Sequence, residues 1–198
     1  MNNPFKFGTI VDGEYFTDRV AEQEKVREIL ASENHLIFIS PRRFGKTKVT
    51  KGLSRPVFQL NLQLVTGTAD FAARLLWIML QQYPMERLKH LITHFRFIPT
   101  ISTNPMTDGI EVSFQPSMDG FILLEDVFTL IDKLGMKNPH KKPIVVLDEF
   151  QEIRTLDKNL DKKLRSILQT YNHANYIFLG SQESMMQEIF EKKKSPFY

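Results

Sequence analysis

The segment Ser40-Pro-Arg-Arg-Phe-Gly-Lys-Thr47 fits the pattern G-x-x-x-x-G-K-[S/T] at every fixed position except the first, where Ser40 stands in place of glycine. In that pattern a strand ends, the loop curls its backbone N–H groups toward one point, and a helix begins at the lysine with the positive end of its dipole there. Such a loop is an anion cradle for phosphate. Gly45 lets the backbone approach closely, Lys46 reaches the outer phosphate oxygens, and Thr47 offers a hydroxyl to Mg²⁺. Pro41, Arg42, Arg43, Phe44 and Lys48 complete the expected lining. Without a strand before it and a helix after it, the same segment would be a basic loop with its cations solvated. A serine at the first position is tolerated where its φ is negative.

A second segment, Ile144-Val-Val-Leu-Asp-Glu-Phe-Gln151, runs four apolar residues into two acids. That places Asp148 at the carboxyl end of a buried strand, the edge where open α/β sheets bind ligands. Asp148 is expected to hold the hydration shell of Mg²⁺, and Glu149 to turn a carboxylate toward a water attacking a γ-phosphate. A third segment, Tyr176-Ile-Phe-Leu-Gly-Ser-Gln182, brings Ser181 and Gln182 to the same edge, where either can hydrogen-bond that water or the γ-phosphate. Taken singly, the second segment reads equally well as a helix cap or surface pair, and the third as a strand-to-helix turn with a serine cap. Their conjunction with the loop is what points to nucleotide chemistry.

The elements that would carry these segments follow from hydrophobic periodicity. Helices are predicted over about 17–31, 46–52, 69–82, 85–95, 123–134 closed by Gly135, 158–171 and 184–192. Strands are predicted at 35–40, 57–62, 144–147 and 176–179, those with unbroken apolar runs being buried on both faces as in parallel sheets. Turn residues in Asn104-Pro-Met-Thr-Asp-Gly109 between two β-rich runs predict a hairpin inserted at about 96–114. Strands alternating with helices predict an α/β fold around a mainly parallel sheet.

Composition narrows the function classes. With 198 residues, 42% hydrophobic and 25% charged, the chain suits one globular domain. The absence of cysteine excludes disulfides, thiolate metal sites and cysteine nucleophiles, and the cytoplasm is the default expectation. The longest apolar runs are far below the about 20 residues needed to span a bilayer. A net charge of +3 gives no argument for nucleic acid.

The same segments carry a family resemblance. The chain resembles the archaeal-type ATPases, a branch of the AAA+ and STAND P-loop NTPases. The matching segments are Asn3-Pro-Phe5, Gly13-Glu-Tyr-Phe-Thr-Asp-Arg19 with Glu22, Pro41 to Thr47, Leu147-Asp-Glu-Phe-Gln151, and Phe178 to Met186 with Ser195-Pro-Phe-Tyr198. The resemblance implies a three-layer αβα P-loop fold with strand order 5-1-4-3-2, and ATP as ligand. It also implies an adenine pocket formed partly by the segment before the first strand, with Phe16 and Arg19 as candidates. No Asn-Lys-x-Asp guanine signature occurs, so the preference for ATP over GTP rests on this resemblance. Members of the family continue into a fifth strand and a helical or winged-helix part. The expectation is therefore a single core over 1–198, with residues 85–120 as an insertion and the C-terminal part absent.

Two functions are compatible with these residues. The first is an ATPase switch acting on a homo-oligomer or a protein partner, slow in isolation because no arginine is identified for the γ-phosphate; Arg154 and Arg165 are generic candidates. The second is a non-hydrolysing module whose hairpin, through Phe97, Ile98, Ile101 and Phe114, serves as an interaction surface unless those residues form a packed lid. Glu86, His90 and His94, spaced for one helix side, read better as a solvated face than as a zinc site. The lysine clusters at 137–142, 162–163 and 192–194 lack interleaved stacking aromatics and give no support for nucleic-acid binding. Trp77, Met185 and Met186 are expected in the core.

Overall fold

The computed structural model describes residues 20–31, 35–39, 53–93, 95–96, 98–104, 109–115, 119–193 and 195–197. In chain order the helices are α1 (Val20–Ala31), α2 (Thr68–Gln82), α3 (Met85–Ile92), α4 (Gly120–Lys137), α5 (Ile153–Leu156), α6 (Leu160–Thr170) and α7 (Glu183–Phe190). The strands are β1 (Leu36–Ile39), β2 (Val57–Asn61), β3 (Thr100–Asn104), β4 (Gly109–Ser113), β5 (Ile144–Asp148) and β6 (Asn175–Gly180).

Four strands form one parallel sheet in the order β1-β6-β5-β2, and β3 and β4 form a separate antiparallel hairpin. With the hairpin set aside, this is the order 1-4-3-2, the part of the expected topology that falls on these strands. Alternating side chains of the sheet feed two cores. Ile144, Val146, Ile177 and Leu179 meet Val26 and Leu30 of α1 on one face. On the other face Val145, Leu147, Phe58, Leu60, Tyr176 and Phe178 meet the helices α2, α4, α6 and α7. The sheet thus lies between helical layers, and β5 and β6 are buried along their whole length, as their apolar runs require.

Local chemistry explains the helix boundaries. Asp119 caps α4 by accepting from the Phe121 N–H at 2.8 Å. In the first turn of α2, Asp70 accepts from the Thr66 N–H at 2.9 Å and holds Arg74 at 2.8 Å. Phe71, Ala72, Leu75, Leu76, Met79 and Leu80 give α2 one buried face. At the amino ends of the strands Arg55 joins three segments. It donates to the carbonyl of Lys142 at 2.7 Å, to that of Leu30 at 3.2 Å, and to the side-chain oxygen of Asn175.

Several elements differ from the sequence expectation. Gly135 lies inside α4 instead of closing it. A Cβ there would stand 1.7 Å from the His173 carbonyl oxygen, so the glycine is set by close approach of the 171–174 turn. β1 is half-exposed: Leu36 and Phe38 pack against the sheet's α1 side, whereas Ile37 and Ile39 are 44% and 37% exposed. Trp77 is 42% exposed and donates its indole N–H to the Ile110 carbonyl at 2.6 Å. Met186 is in the core as expected. In the hairpin, Ile101, Ile110, Val112 and Phe114 pack inward against the α2 and α4 core, and Thr100, Ser102, Glu111 and Ser113 face outward. The packed-lid alternative therefore holds for Ile101 and Phe114, Ile98 is exposed, and Phe97 lies outside the described residues.

Candidate functional site

The strand register brings the second and third sequence motifs together. Leu147 pairs with Phe178, Ile39 with Gly180, and Asn61 with Asp148, so the carboxyl ends of β2, β5, β6 and β1 form one edge. Asp148 ends β5, and Ser181 follows β6 one strand away. In the sequence Ser40 follows Ile39, so the 40–48 segment continues from the carboxyl end of β1 at this edge. Pro41, Arg42, Arg43, Phe44, Gly45, Lys46, Thr47 and Lys48 lie outside the described residues, as do the predicted 46–52 helix, Phe16 and Arg19.

Glu149 turns the chain out of the strand. Its φ of 53° and ψ of 47° place it in the left-handed region, and among the described residues it is the non-glycine residue with positive φ. For a side chain of this kind that conformation costs about 1–2 kcal/mol. Such strain clusters where a side chain must be aimed. The turn is held by the Glu149 N–H on Asp148 Oδ1 at 2.9 Å and by the Glu152 N–H on the Glu149 carbonyl at 3.0 Å. Immediately afterwards, Phe150 drops into a ring cluster with Phe178, Phe190 and Phe197, at centroid distances of 4.6, 5.5 and 5.6 Å. The phenyl anchor and the left-handed turn together keep the Glu149 carboxylate at the sheet edge.

Three side chains meet there. Ser181 Oγ donates to Glu149 Oε2 at 2.5 Å, and Gln151 Nε2 donates to the same oxygen at 2.6 Å and to Ser181 Oγ at 3.3 Å. Asp148 and Glu149 are both buried, at 9% and 8% exposure. Gly180 makes the approach of α7 possible: a Cβ on it would lie 2.3 Å from Met186 Cγ. Asn61, opposite Asp148, spends its side-chain oxygen on the Gln63 N–H at 2.9 Å. Gln182 is exposed and makes no side-chain cap bond.

The donor set at this edge is made of oxygens, which suits a hard cation such as Mg²⁺. Among the described residues there is no group of three or more His, Cys, Asp or Glu able to hold a metal by themselves. A single carboxylate at a strand end instead fits an ion that keeps waters and takes its remaining ligands from phosphate. Glu86 and His90 sit on the exposed side of α3, and His94 lies outside the described residues.

The two generic arginines have other neighbours among the described residues. Arg154 bonds Asp161 at 3.0 Å and stands 3.6 Å from Glu188, tying α5 to α6 and α7. Arg165 lies near His35, at the amino end of β1, and its charge adds to burial in lowering the His35 pKa. Gln151 is the residue that sequence reasoning missed. The available signal was its place in the Leu147-Asp-Glu-Phe-Gln151 segment, where it carried no assigned role.

No family model matches the sequence, and no curated protein matches it significantly. Solved structures do. A Walker-type ATPase of Pyrococcus abyssi superposes with a TM-score of 0.63 at 17% identity, covering 99% of this chain and 55% of that one. The ORC1 protein of Aeropyrum pernix, solved in complex with DNA, gives a TM-score of 0.54 at 13% identity, covering 92% of this chain and 44% of that one. The chain spans about half the length of both structures. Among the described residues no helix is long and apolar enough to cross a membrane. The parallel sheet, its strand order and these two neighbours establish an α/β fold shared with the Walker-type ATPase and the ORC1 structure, in keeping with the αβα architecture implied by the resemblance to the archaeal-type AAA+ ATPases.

Proposed function

We propose that this chain is a P-loop ATPase core that binds MgATP and hydrolyses it slowly to switch a protein partner or a second copy of itself, in a cytoplasmic setting. The observation that carries the reading is the convergence of Asp148, Glu149 and Ser181 at the sheet edge from which the 40–48 segment departs. Lys46 and the loop amides are the expected phosphate ligands, with Arg42, Arg43 and Lys48 around them. Thr47 and Asp148 are the expected Mg²⁺ residues, and Phe16 and Arg19 the expected base pocket. Bound MgATP supplies the phosphoanhydride and the charge that polarises it. Glu149 orients a water and takes its proton, and Ser181 stays within reach of that carboxylate. With Arg154 committed to Asp161 and Arg165 placed elsewhere, a stabilising arginine has to come from another segment or subunit, which accords with slow turnover.

Calorimetric titration of MgATP and MgADP into the chain and into Lys46→Ala tests the reading. Saturable binding lost in Lys46→Ala is the expected result; a folded chain that binds neither nucleotide overturns it.

A further inference from the structure

Gln151 is fully buried, and a long polar side chain in that position calls for a reason. Its Nε2 serves Glu149 Oε2 at 2.6 Å and Ser181 Oγ at 3.3 Å, whereas its Oε1 is enclosed and meets no partner among the described residues. Turning the amide over would set Oε1 against the carboxylate, so the hydrogen bonding fixes which end points where. Ser181 closes the ring by donating to the same carboxylate oxygen. Stability alone does not account for this arrangement, since an unpartnered buried carbonyl cancels much of what a hydrogen bond contributes. What the ring does achieve is geometric: two donors from two different strand ends fasten one oxygen of one carboxylate.

We propose that Gln151 is a positioning residue, which together with Ser181 fixes the plane in which the Glu149 carboxylate meets the attacking water. The inference rests on the P-loop ATPase reading of the site. Gln151 touches no reacting atom; it acts through Glu149, whose left-handed backbone and fastened oxygen leave the carboxylate one orientation.

The test is Gln151→Met in the full chain, a substitution that keeps side-chain length and removes both the donor and the enclosed carbonyl. We expect a thermal midpoint within about 4 °C of the parent. MgATP affinity should stay within about twofold, and kcat should fall about 10- to 100-fold with KM unchanged. Ser181→Ala should lower kcat as well, and the double variant should lose less than the product of the two, because both act on one oxygen. A second readout needs no nucleotide. In the ligand-free parent the Gln151 side-chain amide protons should exchange with solvent at least about tenfold more slowly than those of exposed Gln81, and Glu149→Ala should abolish that protection. An unprotected Gln151 amide, or a Gln151→Met chain that turns over like the parent, overturns the inference while leaving the ATPase reading intact. A parent chain without Lys46-dependent turnover overturns both.

Discussion

Replacing Glu149 with glutamine separates the chemistry of this site from its architecture. The carboxylate oxygen accepts from Ser181 Oγ at 2.5 Å and from Gln151 Nε2 at 2.6 Å, and an amide oxygen in the same place keeps both donors. Hydrogen bonds to a charged group contribute about 1.5–3 kcal/mol and neutral ones about 0.5–1.5, so the exchange costs about 1 kcal/mol per bond and about 2 in all. Relief from burying a charge at 8% exposure works in the opposite direction. At about 2–4 °C per kcal/mol for a chain of this size, the midpoint should fall by no more than about 8 °C. Turnover should respond on a different scale. Losing a positioned base lowers a rate about 10²- to 10⁴-fold, equivalent to about 2.7–5.4 kcal/mol on the barrier. MgATP binding should be retained or tightened, because a negative charge near the triphosphate has gone. Phosphate release under saturating MgATP, read beside calorimetric binding and a melting curve, tests all three. Unchanged turnover in a folded Glu149→Gln chain would refute the assignment of Glu149, and collapse of folding would refute the argument that the ring survives the exchange.

Two further outcomes concern the scaffold. Gly135→Ala should destabilise by about 2–4 kcal/mol in urea unfolding, although alanine in a helix interior normally gains about 1 kcal/mol over glycine. Its Cβ would lie 1.7 Å from the His173 carbonyl, and relief would pull that turn from Asp132, which accepts from His173 N at 2.9 Å and lies 3.0 Å from Nδ1. A neutral or stabilised variant would show that the two segments part freely. Burial and then the charge of Arg165 lower the His35 pKa from 6.5, and a lowered histidine pKa means the unfolded chain binds the proton more tightly. The contribution of His35 is therefore full above about pH 6.5 and declines as pH falls toward the lowered value. His35→Gln should flatten this part of the stability profile, and an unaltered profile would remove His35 as its source.

The sequence made the interior of the sheet legible because β5 and β6 are fully buried, and such strands must be apolar throughout. β1 shows the limit of that rule: the same kind of run occurs in a strand with Ile37 and Ile39 exposed, since composition does not say which strand lies at an edge. The placement of Asp148, Glu149 and Ser181 at one sheet edge was legible because strand ends are recognisable and parallel sheets collect their ends on one side. Gln151 was not, because its meaning depends on Ser181, thirty positions later. Gly135 was misread for a related reason. A glycine near a helix end has a local explanation, and only the His173 carbonyl reveals the nonlocal one. The indole of Trp77 is similar, an aromatic held at the surface by a hairpin carbonyl instead of in the core. The fit of the 40–48 segment to a phosphate loop remains a sequence argument, strengthened by the position of Ile39 beside Gly180.

The ring cluster beneath the site has a mechanical meaning. Phe150 is bonded covalently to Glu149 and touches Phe178, Phe190 and Phe197, which in turn touch one another. Close-packed aromatic rings yield little volume under load and pass displacement on instead of absorbing it. A displacement of the Glu149 turn would therefore press, through Phe150, on Phe190 of α7 and on Phe197. The ring cluster thus joins the turn that carries Glu149 to α7 and to the 195–197 segment through one packed contact at Phe150.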